Sequence, residues 1–82
     1  MKTLLSPKAA KYLQHLREPT KGRIIAALKK LEQEPPQGDI KAMTGKIGYR
    51  LRVGGYRLLF GIKDDTIVVT DIGLRGQVYK GR

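Results

Sequence analysis

The chain has 82 residues, enough for one domain spanning 1–82 with a shallow core. It has no cysteine and a single histidine, which excludes disulfides, thiolate chemistry, a histidine-based zinc site and a two-histidine nuclease. Seventeen Lys and Arg against seven Asp and Glu give a formal net charge of +10, and such a field favours polyanions: nucleic acid, the ribosome or an acidic protein. The basic residues are spread over several segments instead of one helix face, so an anionic membrane surface fits less well.

The apolar start Thr3-Leu4-Leu5 is cut off by Ser6-Pro7, far short of a signal peptide. No other run approaches the length of a membrane span, so a soluble, cytoplasmic protein is expected. Lys2 to Leu5 can pair as an edge strand. Ser6-Pro7 reads as an N-cap with proline at the first helical position. Ala9, Leu13 and Leu16 follow at helical spacing, and Pro19 stops the run after Glu18. A second helix begins at Thr20, with Ile24, Ala27, Leu28 and Leu31 on one face, and ends at Pro35-Pro36. The two helices are expected to form an antiparallel hairpin with one apolar side.

The second half has the period of strands. Ile47, Tyr49, Leu51 and Val53 alternate with Gly48, Arg50 and Arg52; Gly54-Gly55 supplies a tight turn, and a return strand runs from Tyr56 to Lys63. Asp64-Asp65 makes the next turn. Thr66 to Ile72 is β-branched almost throughout and reads as a central strand, interrupted by Gly73 and Gly76. Val78-Tyr79 adds a short last strand. The expected fold is α+β: an N-terminal helical hairpin packed on a small antiparallel sheet, in the order β-α-α-β-β-β(-β).

A two-residue loop at Gly54-Gly55 puts Arg52 directly opposite Arg57, on the same face as Arg50. Like charges opposed across strands destabilise by some tenths to about 1 kcal/mol, so a sequence shaped only for stability would avoid the pairing. Guanidiniums projecting from one sheet face suit phosphate, to which each can donate bidentately. The same pattern also describes a solvated basic face, and the residues alone leave the two readings open.

Gly48-Tyr49-Arg50-Leu51-Arg52-Val53-Gly54-Gly55-Tyr56-Arg57-Leu58-Leu59-Phe60, the acidic turn, and then Ile72-Gly73-Leu74-Arg75 with Val78-Tyr79 resemble the RelE/ParE toxin superfamily. The resemblance covers essentially the whole chain. It implies a RelE-type toxin of a type II toxin–antitoxin system, a ribosome-dependent endoribonuclease that cleaves messenger RNA and inhibits translation. The ribose 2′-hydroxyl would attack the adjacent phosphate, with no metal and no cofactor. By position it assigns catalytic roles to Arg50, Arg52, Arg57, Arg75 and Tyr79. On that reading Arg57 would be the main phosphate clamp, Arg75 its support, and Tyr79 a ring to stack on a base or adjust the nucleotide's pose.

Arginine stays protonated, so Arg50 and Arg52 cannot act as general base. Lys46 shares their strand parity, and like-charge neighbours would favour its neutral amine, which makes it a possible auxiliary. Leu74 stands where family members carry a histidine, and His15 is expected on the surface. The implied partners are a cognate antitoxin, the ribosome and messenger RNA, with a monomeric toxin inside a toxin–antitoxin hetero-oligomer. Two alternatives fit the same residues: a ParE-like inhibitor of DNA gyrase, and a non-catalytic basic module that binds RNA or protein.

Overall fold

A computed structural model describes residues 1–43 and 48–76. The elements are β1 (Lys2–Leu5), α1 (Pro7–Gln14), α2 (Thr20–Leu31), β2 (Asp39–Ala42), β3 (Tyr49–Val53), β4 (Tyr56–Lys63) and β5 (Thr66–Leu74). They build one five-stranded sheet in the order β1-β5-β4-β3-β2, with both helices feeding a single core.

Ser6 starts α1 as the sequence predicts. Its Oγ accepts from the Ala9 amide at 3.0 Å and donates to the Thr70 carbonyl at 2.8 Å, so one hydroxyl caps the helix and ties it to β5. Ser6→Ala should therefore cost about 1–2 kcal/mol, the upper range for an N-cap. A fall in the urea midpoint at unchanged m-value would measure it. The helix ends earlier than expected, at Gln14, where the His15 amide donates to the Lys11 and Tyr12 carbonyls. Glu18 lies outside α1, as the residue before a proline is driven out of helical geometry. Its Oε1 instead accepts from the Gly22 amide at 2.9 Å in the first turn of α2.

α1 lies against β5 and β1, and α2 against β3, so the pair is held through the sheet. Ala9 and Leu13 from α1, and Ile24, Leu28 and Leu31 from α2, meet Leu51, Leu58, Phe60, Ile67, Val69 and Ile72 from the sheet. Their alternation along each strand leaves the opposite face to Arg50, Arg52, Arg57, Leu59 and Gly73.

The sheet differs from the expected one in three ways. It is mixed, because β1 runs parallel to β5 while every other pair is antiparallel. Tight hairpins impose antiparallel pairing only on strands adjacent in sequence, and β1 and β5 are far apart in the chain. A further strand, β2, precedes β3, and the one expected at Val78-Tyr79 lies outside the described residues. Gly73 does not interrupt β5 but pairs with Arg57 inside it.

A bulge between Leu59 and Phe60 shifts the β4–β5 register, leaving Thr70 unmatched. Val69 and Ile72 both reach the core because of this extra residue, and Asp71 falls opposite Leu59. The Thr70 hydroxyl sits 3.3 Å from the Leu59 carbonyl and 3.0 Å from Asp71 Oδ2, and Lys8 Nζ closes on Asp71 Oδ1 at 2.9 Å. At the β4–β5 turn Asp64 and Asp65 take φ of +52° and +59°, the double left-handed geometry of a type I′ hairpin. Asp65→Gly, which relieves one of these, should raise stability by roughly 0.5–1 kcal/mol, read as a higher melting temperature.

Candidate nucleic-acid interface

The two-residue turn at Gly54-Gly55 fixes the register of β3 against β4, placing Val53 opposite Tyr56 and Arg52 opposite Arg57. In the next row β2 brings Asp39 opposite Arg52, and β5 brings Gly73 opposite Arg57. One line across the sheet thus reads Asp39, Arg52, Arg57, Gly73. Just past β5, the Arg75 amide donates to the Gly55 carbonyl at 3.1 Å, which pins Arg75 to the same hairpin.

Arg52, Arg57 and Arg75 line one pocket of about 180 Å³ whose remaining wall is the Gly54-Gly55 backbone. Arg57 is its buried member, only 4% exposed. Its Nε and Nη1 have no hydrogen-bond partner among the described residues. Buried donors are almost always satisfied, and each one left without a partner on a buried side chain costs free energy. Arg52 and Arg75 are solvent-exposed, and Arg52 Nε stands 3.6 Å from Asp39 Oδ2. That pair is a surface contact of little energetic weight, but it orients the guanidinium.

Of the residues singled out in the sequence, the structure brings Arg52, Arg57 and Arg75 together. Arg50 shares their sheet face but does not line the pocket; its register neighbours are Lys41 and Leu59. Lys46 and Tyr79 lie outside the described residues. His15 is on the surface, with Nδ1 2.8 Å from the Lys11 carbonyl oxygen. Asp39 escaped the sequence reading because β2 did; once β2 is placed, its register with Arg52 follows. Among the described residues no group of three or more His, Cys, Asp or Glu side chains is placed to hold a metal ion, and no helix is long and apolar enough to cross a membrane.

The fold matches the toxin of the RelB–RelE antitoxin–toxin complex from Methanococcus jannaschii, with a TM-score of 0.76 and 26% identity over 93% of this chain and 94% of that one. It matches the archaeal RelE–RelB complex from Pyrococcus horikoshii at a TM-score of 0.74 and 25% identity, over 93% and 96% of the two chains. The intact RelBE complex of E. coli, 22% identical, shares the fold at a TM-score of 0.73 over 88% and 93%. No curated protein matches the sequence significantly. The family model described as the ParE toxin of the type II toxin–antitoxin system parDE matches residues 4–79, and the chain belongs to that family. It is a toxin of a RelBE/ParDE-type toxin–antitoxin system.

Proposed function

We propose that this toxin is a RelE-type endoribonuclease that cleaves messenger RNA on the ribosome, in the cytoplasm, with its arginine pocket as the site of the scissile phosphate. The observation that carries the reading is Arg57, buried with two donor atoms unpartnered and flanked by Arg52 and Arg75. A phosphodiester in the pocket would offset the desolvation of the cation through the part of Arg57 that lines it. In the reaction the 2′-oxygen bonds to phosphorus while the bond from phosphorus to the 5′-oxygen breaks. The 2′-hydroxyl loses a proton, the departing 5′-oxygen gains one, and a 2′,3′-cyclic phosphate and a 5′-hydroxyl result. Negative charge gathers on the pentavalent phosphate, where the guanidiniums carried at the hairpin stabilise it.

Among the described residues no side chain lining the pocket can accept the 2′-hydroxyl proton, since its ionisable members are all arginines. Electrostatics and the in-line geometry imposed by the ribosome then supply most of the rate enhancement. Arg50 would bind a neighbouring phosphate from the same face, while Lys46 as auxiliary and Tyr79 as stacking ring complete the proposed set. A cognate antitoxin is the proposed partner, as in the RelB–RelE assemblies that the fold matches.

The ParE-family match and the pocket without a proton acceptor favour a second reading, a gyrase poison that uses the same cationic face. Two assays separate them. Transcript cleavage on translating ribosomes, lost in Arg57→Ala, supports the nuclease; trapped gyrase–DNA complexes with intact transcripts overturn it. Salt-sensitive RNA binding with neither activity would leave a non-catalytic module.

A further inference from the structure

The arginine pocket is not the only cleft at the β3–β4 hairpin. On the other side of the turn a second one, of about 170 Å³, is lined by Thr20 and Arg23 of α2 with Val53, Gly54, Gly55 and Tyr56. The two share the Gly54-Gly55 backbone as a common wall. Between them the turn carries no side chain, and a Cβ built on either glycine meets nothing within 4 Å.

Gly54 has a folding reason to be glycine, since its φ is +59°. Gly55 has none: its φ lies outside the left-handed region, and a side chain there would point into open space. Glycine at a position where neither conformation nor packing demands it suits close approach of another backbone. Beyond that bare turn the second cleft offers what a nucleotide needs: a guanidinium for phosphate, a hydroxyl for hydrogen bonding and a phenol ring beside it.

We propose that the Gly54-Gly55 turn is a saddle over which a single-stranded polynucleotide passes, one phosphate held by Arg52, Arg57 and Arg75 and an adjoining nucleotide seated in the Thr20–Arg23–Tyr56 cleft. The inference rests on the arginine pocket taking a phosphodiester and adds a second subsite to it. Arg23 is a binding residue here, remote from the reacting phosphate, and Gly55 acts by leaving room.

The test compares a dinucleoside monophosphate, which has one phosphate, with a seven-residue RNA carrying 2′-O-methyl groups to block cleavage. Both are titrated into the intact protein and into the Arg23→Ala, Gly55→Val, Gly55→Ala and Arg57→Ala variants. Arg23→Ala should weaken the heptamer roughly tenfold and leave the dinucleoside monophosphate unchanged, and Gly55→Val, in the wall that both clefts share, should weaken the heptamer at least as much, with unaltered circular dichroism in both. Gly55→Ala, which adds one carbon, keeps the test valid if the valine variant misfolds and should fall between. Arg57→Ala should weaken both ligands. Heptamer affinity unchanged in Arg23→Ala and in the folded Gly55 variant overturns the saddle while leaving the arginine pocket standing. Dinucleotide affinity unchanged in Arg57→Ala overturns the pocket reading itself. An oligoglutamate that binds as tightly as the heptamer, with the same loss in Arg23→Ala and Gly55→Val, would mark the hairpin as a protein-docking surface and overturn the saddle as well.

Discussion

Arg57→Met is expected to give a protein that is more stable and inactive. The wild-type guanidinium is buried with Nε and Nη1 unpaired, so the fold bears the desolvation of two donors on a cation. Methionine fills a similar volume with a flexible apolar chain and removes both the orphaned donors and the like-charge opposition to Arg52. A gain of about 1–3 kcal/mol in unfolding free energy should follow, from the reported effect of replacing buried ions by apolar residues. Activity should fall in the opposite direction. Loss of a preorganised donor at the transition state costs about 100-fold to 1,000-fold in rate, which translating ribosomes would report as intact transcripts. Lower stability in Arg57→Met would show that the guanidinium belongs to the structural framework and not to a site held in strain.

The second large effect lies in the core. Ile24 is fully buried in α2, while Ile25, its neighbour in the chain, is 37% exposed. Ile24→Ala should cost about 2–5 kcal/mol through lost transfer energy and the cavity left behind. A domain of this length has only about 4–12 kcal/mol in total, so the variant should be partly unfolded at physiological temperature. Ile25→Ala should stay within about 0.5 kcal/mol of wild type. Denaturant titration of the two single variants measures the contrast. Equal losses at both positions would mean that α2 packs on the sheet by a different face from the one described.

The β3–β4 hairpin was readable in advance because two local rules agree there. Alternation from Tyr49 to Val53 and from Tyr56 to Ile62 sets the faces, a two-residue turn sets the register, and together they place Arg52 against Arg57. The α1 cap was readable for the same reason, since Ser6-Pro7 is a local signal. What failed depends on distant pairing. β2 is four residues, Asp-Ile-Lys-Ala, with too little alternation to stand out after two prolines; it exists because β3 offers it an edge. The parallel sense of β1 rests on the path of the whole chain, and Lys2–Leu5 looks the same either way.

The bulge at Leu59/Phe60 was equally hidden. A run such as Thr66 to Ile72 is β-branched on both parities, so nothing in it reveals where the alternation slips by one residue. The burial of Arg57 came with that limit. Period alone assigns it to the face away from the core, where a basic residue is normally solvated; only the assembled sheet makes it a buried cation beside Gly73. The composition of the candidate site was visible, but the burial of its central member was not.

The claim on which the account depends is that a phosphodiester completes the coordination of Arg57. The most direct measurement follows the arginine Nε–H resonances of the native protein by 15N-resolved NMR during titration with a nucleoside 2′,3′-cyclic phosphate. The account predicts that the Arg57 Nε–H signal moves and saturates together with those of Arg52 and Arg75, and that arginines outside the pocket, such as Arg17, stay in place. Saturable binding that moves other arginines and leaves Arg57 unchanged would contradict it.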